Sequence, residues 1–275
     1  MTAQQTRLTN GVDQPAGGSP PTDEPVRILV VGGLDPGGGA GLLRDVVTAA
    51  ALGAEAHAVG TAWTEQGEGV HEVEPRAPAA IREAVRRAAE ARPAAVKIGM
   101  AVDPATADAI LEGLAGYGGP VVVDPVLATS RGGPLWSGEP REILRLGRRA
   151  TLLTPNAEEA GKLVGRPVST LSDAAAAGRA VVDEQGVAAV LIKGGHLAPA
   201  ASEVTDLLVT ALGTRRLVRP RVAGPSPRGT GCALATAIAV ELGRGRELAA
   251  AVESAGLWLA GAIAAARDVR GERRL

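Results

Sequence analysis

Six short polar or glycine-rich stretches carry residues whose type and spacing suit chemistry. The most informative is Arg228-Gly229-Thr230-Gly231-Cys232, which opens an apolar helix. Glycines expose backbone N–H groups at a helix N-terminus, where the macrodipole favours anions, so Gly229, Thr230 and Gly231 can receive developing phosphoryl charge. Cys232 in that first turn is either biased toward thiolate by the same dipole, or a small buried residue. Gly32-Gly33-Leu34-Asp35-Pro36-Gly37-Gly38-Gly39-Ala40-Gly41 lets a backbone approach a ligand closely, or is simply a flexible turn. It lacks the Lys-Ser/Thr of a P-loop, and the dinucleotide spacing would need glycine at Leu42 or Arg44.

The other four are sparser. Gln66, in Thr61–Gln66, offers a donor and an acceptor to one edge of a heterocycle, or is an ordinary loop residue. Asp124 directly follows the apolar run Val121-Val122-Val123 and needs a partner there, either Mg²⁺ held through water or a helix to cap. Asn156 with Glu159 reads as an Asn version of a capping box, or as a pair facing a metal and a triphosphate. Lys193, before Gly194-Gly195-His196, can meet a phosphate as a point charge, and His196 alone reads more readily as structural.

These residues need a frame that brings them together. Val26–Val31 reads as a buried strand, with further strands expected near 56–62, 94–98, 120–124, 150–154 and 188–193. Helices are expected near 41–52, 78–91, 104–114, 139–147, 156–164, 171–185, 231–242 and 247–267. Segments 203–209 and 214–218 flank Ala211-Leu212-Gly213 as a hairpin. The alternation predicts an α/β fold with a mostly parallel sheet covered on both faces. In such a sheet ligands bind beyond the carboxyl ends of the strands, where most of these polar stretches fall.

Composition narrows the classes. The chain has 275 residues, 45% of them hydrophobic, enough for one large core. Residues 1–25 read as a disordered tail and 26–275 as a single domain. Lys plus Arg is 29 against 30 for Asp plus Glu, which gives no electrostatic case for nucleic acid or an anionic membrane. The single cysteine excludes an intrachain disulfide and fits a reducing cytoplasm. No signal peptide and no apolar run of membrane-spanning length are read. With no Phe and one Tyr, stacking on a flat ligand falls chiefly to Trp63 and Trp136.

Taken in order from about Val26 to Ala265, these stretches, together with Asp45 and Lys97-Ile98-Gly99-Met100, resemble the hydroxymethylpyrimidine and phosphomethylpyrimidine kinases of thiamine biosynthesis, in the ribokinase-like superfamily. The resemblance implies a three-layer α/β/α sandwich, a homodimer, and ATP with Mg²⁺ as cofactors. It implies that Gly33, Ala40, Asp45, Gln66, Met100 and Val126 surround a pyrimidine, with Asp45 on the hydroxymethyl side and Gln66 on the ring-nitrogen and amino edge. Asp124 and Glu159 then belong to the metal, Asn156, Lys193 and Thr230 to the nucleotide, and Gly229, Thr230 and Gly231 to the anion hole. Cys232 takes the place where most of the superfamily carries an Asp base. The chain departs from the family where Leu34 replaces Ser, Leu43-Arg44 replaces Gln-Ala, Glu65-Gln66-Gly67 replaces Ala-Gln-Asn and Arg228 replaces His. A pyridoxal or pyridoxine kinase is the nearest alternative, and a catalytically silent binding protein on the same fold a more distant one.

Overall fold

The computed structural model describes residues 24–66, 70–129, 132–197, 199–269 and 272–275. Nearly all of the expected N-terminal tail lies outside them.

The apolar runs form a nine-stranded sheet. Its strands are β1 (Arg27–Leu34), β2 (Glu55–Gln66), β3 (Val70–Pro75), β4 (Ala95–Ile98), β5 (Val121–Val123), β6 (Leu152–Leu153), β7 (Ala189–Ile192), β8 (Glu203–Thr210) and β9 (Gly213–Pro220). Their order is β3-β2-β1-β4-β5-β6-β7-β8-β9. The block from β2 to β7 is parallel, while β3, β8 and β9 pair antiparallel at the two edges. The expected hairpin is β8–β9, with Thr210 opposite Gly213.

Side chains alternate along the strands, so each face of the central sheet buries its own core. Leu29, Val31, Val96, Ile98, Val121 and Val123 face one way. They pack against α2 (Pro78–Glu90), α3 (Pro104–Gly113), α4 (Leu144–Arg149), α5 (Ala157–Val164) and α6 (Leu171–Asp183). Ile28, Val30, Ala95, Val122 and Leu191 face the other way, against α1 (Gly41–Ala51), α7 (Thr230–Gly243) and α8 (Leu248–Ala265). The result is the expected three-layer sandwich, a ribokinase-like fold.

Three expectations change. Thr61–Gln66 is not a loop: β2 runs through it and is held by β3 from Ala62↔Pro75 to Gln66↔Val70. A small hairpin, β10 (Arg267–Val269) and β11 (Glu272–Arg274), follows α8 where no element was expected beyond 267. Finally, α8 is 18 residues long with a mean hydropathy of 1.6, long and apolar enough to cross a membrane by length and composition, with 28% of it buried. Its place in this fold is a packing helix: Val252, Ala255 and Leu259 join the core beside α7, and Glu253 pairs with Arg215 of β9 at 3.2 Å. Glu253 is the one charged residue in this otherwise Ala- and Leu-rich run.

Candidate active site

The parallel strands stop in register, and the residues after them are the ones with chemistry. Val31 pairs with Ile98 and Ile98 with Val123, while Val123 pairs with Leu153. The ladder continues past the strand ends: Gly99 N–H donates to Val31 O at 2.8 Å, Asp124 N–H to Ile98 O at 2.8 Å, and Thr154 N–H to Val123 O at 2.9 Å. Lys193 N–H donates to Pro155 O at 2.9 Å. Backbone hydrogen bonds therefore fix the bases of Met100, Asp124, Asn156 and Lys193 along one edge.

The glycine-rich turn closes over this edge. Asp35 is 1% exposed, and its carboxylate accepts from Gly37 N–H at 2.9 Å and Ala40 N–H at 3.2 Å, which folds residues 35–40 into a compact turn. Arg228 reaches the same carboxylate at 3.4 Å. This turn meets the start of α7. Gly229 has φ +76°, and a Cβ there would lie 2.2 Å from Gly39 O. Any side chain at 229 would force the two loops apart, so the glycine is required for their contact.

Between the two loops lies a cleft of about 1550 Å³. Gly33, Ala40, Asp45, Met100 and Val126 line one part of it. Gly229, Thr230, Gly231 and Cys232 line it too, as do Asp124, Asn156, Glu159 and Lys193; a Cβ at Gly231 would lie 3.3 Å from Lys193 Nζ and 3.6 Å from Asp124 Oδ2. All the site residues expected from sequence thus converge, except Gln66, which ends β2 and whose side chain lies outside the described part of the structure. Trp63 and Trp136 do not serve as stacking platforms here. Trp63 is 53% exposed on β2, and Trp136 is buried in the core with its Nε1–H on Glu139 O.

Electrostatics divides the cleft in two. Lys193 Nζ lies 2.8 Å from Asp124 Oδ1 and 3.9 Å from Glu159 Oε2. Thr154 Oγ1 donates to Asp124 Oδ1 at 3.1 Å. Burial pushes the Glu159 carboxyl up to about 7, with Lys193 pulling it down and Asp124 pushing it further up. Burial opposes the charge on Lys193, but Asp124 and Glu159 outweigh it and hold its pKa above the ordinary lysine value. The expected capping box also forms: Asn156 Oδ1 accepts from Glu159 N–H at 2.9 Å and Glu159 Oε2 from Asn156 N–H at 2.7 Å. Capping and site geometry are one arrangement, since the cap fixes Glu159 beside Asp124.

Cys232 behaves differently from the expectation of a dipole-stabilised thiolate. Burial pushes its thiol up to about 11; Lys97 and a hydrogen bond from the Gly41 backbone pull it down, and Asp45 and Asp124 push it further up. Desolvation of a sulfur anion outweighs the N-terminus of α7, so the resting group is a thiol.

The Phosphomethylpyrimidine kinase family model matches residues 35–273. The chain belongs to this family. It is 37% identical to the hydroxymethylpyrimidine/phosphomethylpyrimidine kinase of Salmonella typhimurium, over 88% of this chain and 92% of that protein. It is 36% identical to the enzyme of the same name from Streptomyces coelicolor, over 92% and 94%. Among solved structures, the phosphomethylpyrimidine kinase of Clostridium difficile superposes with a TM-score of 0.73 at 32% identity, covering 86% of this chain and 99% of that one. A Staphylococcus aureus pyridoxal kinase in complex with pyridoxal superposes with a TM-score of 0.80 at 25% identity, covering 92% and 93%.

Against this family background, sequence reasoning left three residues of the site without a role. Thr236 lies one helical turn beyond Cys232 on α7 and donates to Asp45 Oδ1 at 2.9 Å. Thr154 shares Asp124 with Lys193. Lys97, noted only as part of a motif, is 1% exposed and bonds Asp45 Oδ2 at 2.7 Å. A Lys inside the apolar run Ala95-Val96-Lys97-Ile98 was the available signal: a buried ammonium requires a buried partner.

Proposed function

We propose that the protein uses ATP to phosphorylate the hydroxymethyl oxygen of 4-amino-5-hydroxymethyl-2-methylpyrimidine, and also its monophosphate, in thiamine biosynthesis or salvage. One observation carries the reading. The glycine-rich turn meets the N-terminus of α7 at Gly39 and Gly229, so acceptor-side residues and an anion hole share one cleft with Cys232 between them. A binding protein has no use for a phosphoryl site joined to its ligand pocket.

The pyrimidine lies among Gly33, Ala40, Asp45, Gln66, Met100 and Val126. The triphosphate lies against Lys193 and Asn156, with its γ-phosphoryl on the backbone N–H groups of Gly229 to Cys232. Two buried carboxylates, Asp124 and Glu159, with one ammonium between them leave a net negative site of hard oxygen donors, which fits Mg²⁺. Among the described residues no three His, Cys, Asp or Glu side chains converge, so Asp124 and Glu159 are the protein groups that would hold the ion. The ion supplies charge compensation on the phosphate oxygens.

The acceptor oxygen attacks the γ-phosphorus, the bond to the β–γ bridging oxygen breaks, and ADP leaves. The hydroxyl proton departs late, because the transition state is loose. Cys232 receives that proton in its thiolate form, having first lost its own to solvent. Positioning and the anion hole therefore carry most of the acceleration, with the base contributing the remainder.

The test is a panel of hydroxymethylpyrimidine, its monophosphate, pyridoxal and pyridoxine with Mg-ATP, followed by ADP release. The two pyrimidines are expected to exceed both pyridoxine vitamers in kcat/KM, and a better rate with pyridoxal refutes the assignment. We further propose a cytoplasmic homodimer. Leu43, Val46 and Val47 on α1 and Trp63 on β2 are exposed apolar residues suited to a second copy, and sedimentation equilibrium checks this.

A further inference from the structure

Lys97 is a buried cation that phosphoryl transfer does not use. It interrupts β4, whose other three residues are apolar and fully buried. Its Nζ meets Asp45 Oδ2 at 2.7 Å, and the other carboxylate oxygen, Oδ1, accepts from Thr236 Oγ1 at 2.9 Å. A Cβ at Gly99 would lie 2.8 Å from Nζ, so glycine at this position leaves room for the ammonium beside Asp45. Three elements, β4, α1 and α7, thus converge on one carboxylate that is 0% exposed yet belongs to the cleft wall. Thr236 stands four residues after Cys232, which places this network one helical turn beneath the thiol.

A buried ion pair adds little stability over apolar residues of the same volume. In a core built from Val, Ile and Leu its retention calls for another use. We propose that Lys97 is a positioning residue of the acceptor site: its ammonium favours the charged form of Asp45 and fixes it as an acceptor for the hydroxymethyl donor of the pyrimidine. This rests on the pyrimidine kinase reading above. Burial pushes the Asp45 carboxyl above its ordinary range, and Lys97 and Thr236 oppose that push. Asp124, beyond β5, adds to it. Arg44, the neighbour of Asp45 on α1, is bonded to Leu275 O and Gly38 O. Cys232 faces the same group from α7. Among these, Lys97 is the cation in contact with the carboxylate.

Lys97→Met keeps length and apolar volume. The measurements are acceptor KM, kcat and ATP KM from pH 6 to 9, with calorimetric acceptor binding in the absence of nucleotide, each as a ratio to wild type so that the ligand's own titration cancels. Without Lys97 the burial of Asp45 is opposed by Thr236 alone, so its carboxyl holds its proton more tightly than in the wild type and gives it up as pH rises. Acceptor affinity is expected to fall by about tenfold or more at pH 7. ATP KM should stay within about twofold, and the acceptor deficit should shrink toward pH 9. A folded variant with unchanged acceptor KM, or with a deficit independent of pH, overturns the proposal. If Lys97→Met does not fold, Thr236→Val removes the other donor and leaves the ion pair. It should raise acceptor KM about threefold without moving ATP KM, and no change overturns the proposal equally. Wild-type protein that neither binds nor phosphorylates the pyrimidine overturns both readings, whereas normal wild-type turnover with an unaffected variant overturns this one alone.

Discussion

Alkylation of Cys232 offers a direct reading of the site's electrostatics, because the chain contains one cysteine and a single mass adduct reports it. Burial holds its thiol near 11. At pH 8 about 0.1% is then thiolate, against roughly a quarter for an ordinary thiol of pKa about 8.5. Iodoacetamide should therefore react about two orders of magnitude more slowly with the folded protein than with the urea-unfolded chain at that pH. The folded rate should climb about tenfold per pH unit from 7 to 10 without a plateau. Bound acceptor with a non-hydrolysable nucleotide should slow it further. The same argument governs turnover. If the thiolate accepts the hydroxyl proton, kcat rises with pH wherever chemistry limits, and this rise disappears in Cys232→Ala. That variant should lose about 10²–10⁴ in kcat while keeping nucleotide affinity, since backbone groups form the anion hole. Cys232→Asp should recover part of the rate. Fast alkylation that levels off below pH 9 refutes the buried-thiol electrostatics. A folded Cys232→Ala with near-normal kcat removes the base and leaves positioning and the anion hole as the source of catalysis.

Other outcomes follow from the same geometry. Gln66→Leu should cost about 1–3 kcal/mol in kcat/KM for the pyrimidine through an unpaired polar edge, measured against an unchanged ATP KM. Glu159→Gln preserves the capping box and should leave the melting temperature nearly unaltered, yet raise the Mg²⁺ concentration needed for half-maximal rate. An unaltered metal titration would reduce Glu159 to a capping residue. Gly229→Ala must hold a side chain at φ +76° against Gly39 O, so stability should fall by about 1–3 kcal/mol and activity by more, by calorimetry and initial rates.

Most of the central layer was legible because its strands are short apolar runs closed by glycine or a polar residue, and the parallel block reproduces them from Val26–Val31 to the run ending at Lys193. The edge was not. β2 extends to Gln66 only because β3 pairs with it, and Val70–Pro75 carries charged and polar residues facing outward, with no periodicity to mark a strand until its partner is known. Individual site residues were likewise visible as types, while their couplings were not. Asn156 and Glu159 were read as either a cap or a metal-side pair, and the structure makes one depend on the other. Cys232 is the most instructive case, since the sequence left it open between a dipole-biased thiolate and a small buried residue. A helix N-terminus lowers a thiol's proton affinity by a local field, but the sequence does not show how deeply the turn is covered. Here Gly39 lies directly on Gly229, and Cys232, three residues on, is only partly exposed in the cleft wall. The same closure that makes an anion hole strong, by excluding water around fixed N–H groups, makes a bare thiolate beside it costly. A group in that position spends its resting time neutral and must shed its own proton before it can accept one from the acceptor hydroxyl. That is consistent with a transition state whose proton moves last, and it sets the sulfur apart from the neighbouring Asp45 carboxylate, which Lys97 bonds at 2.7 Å.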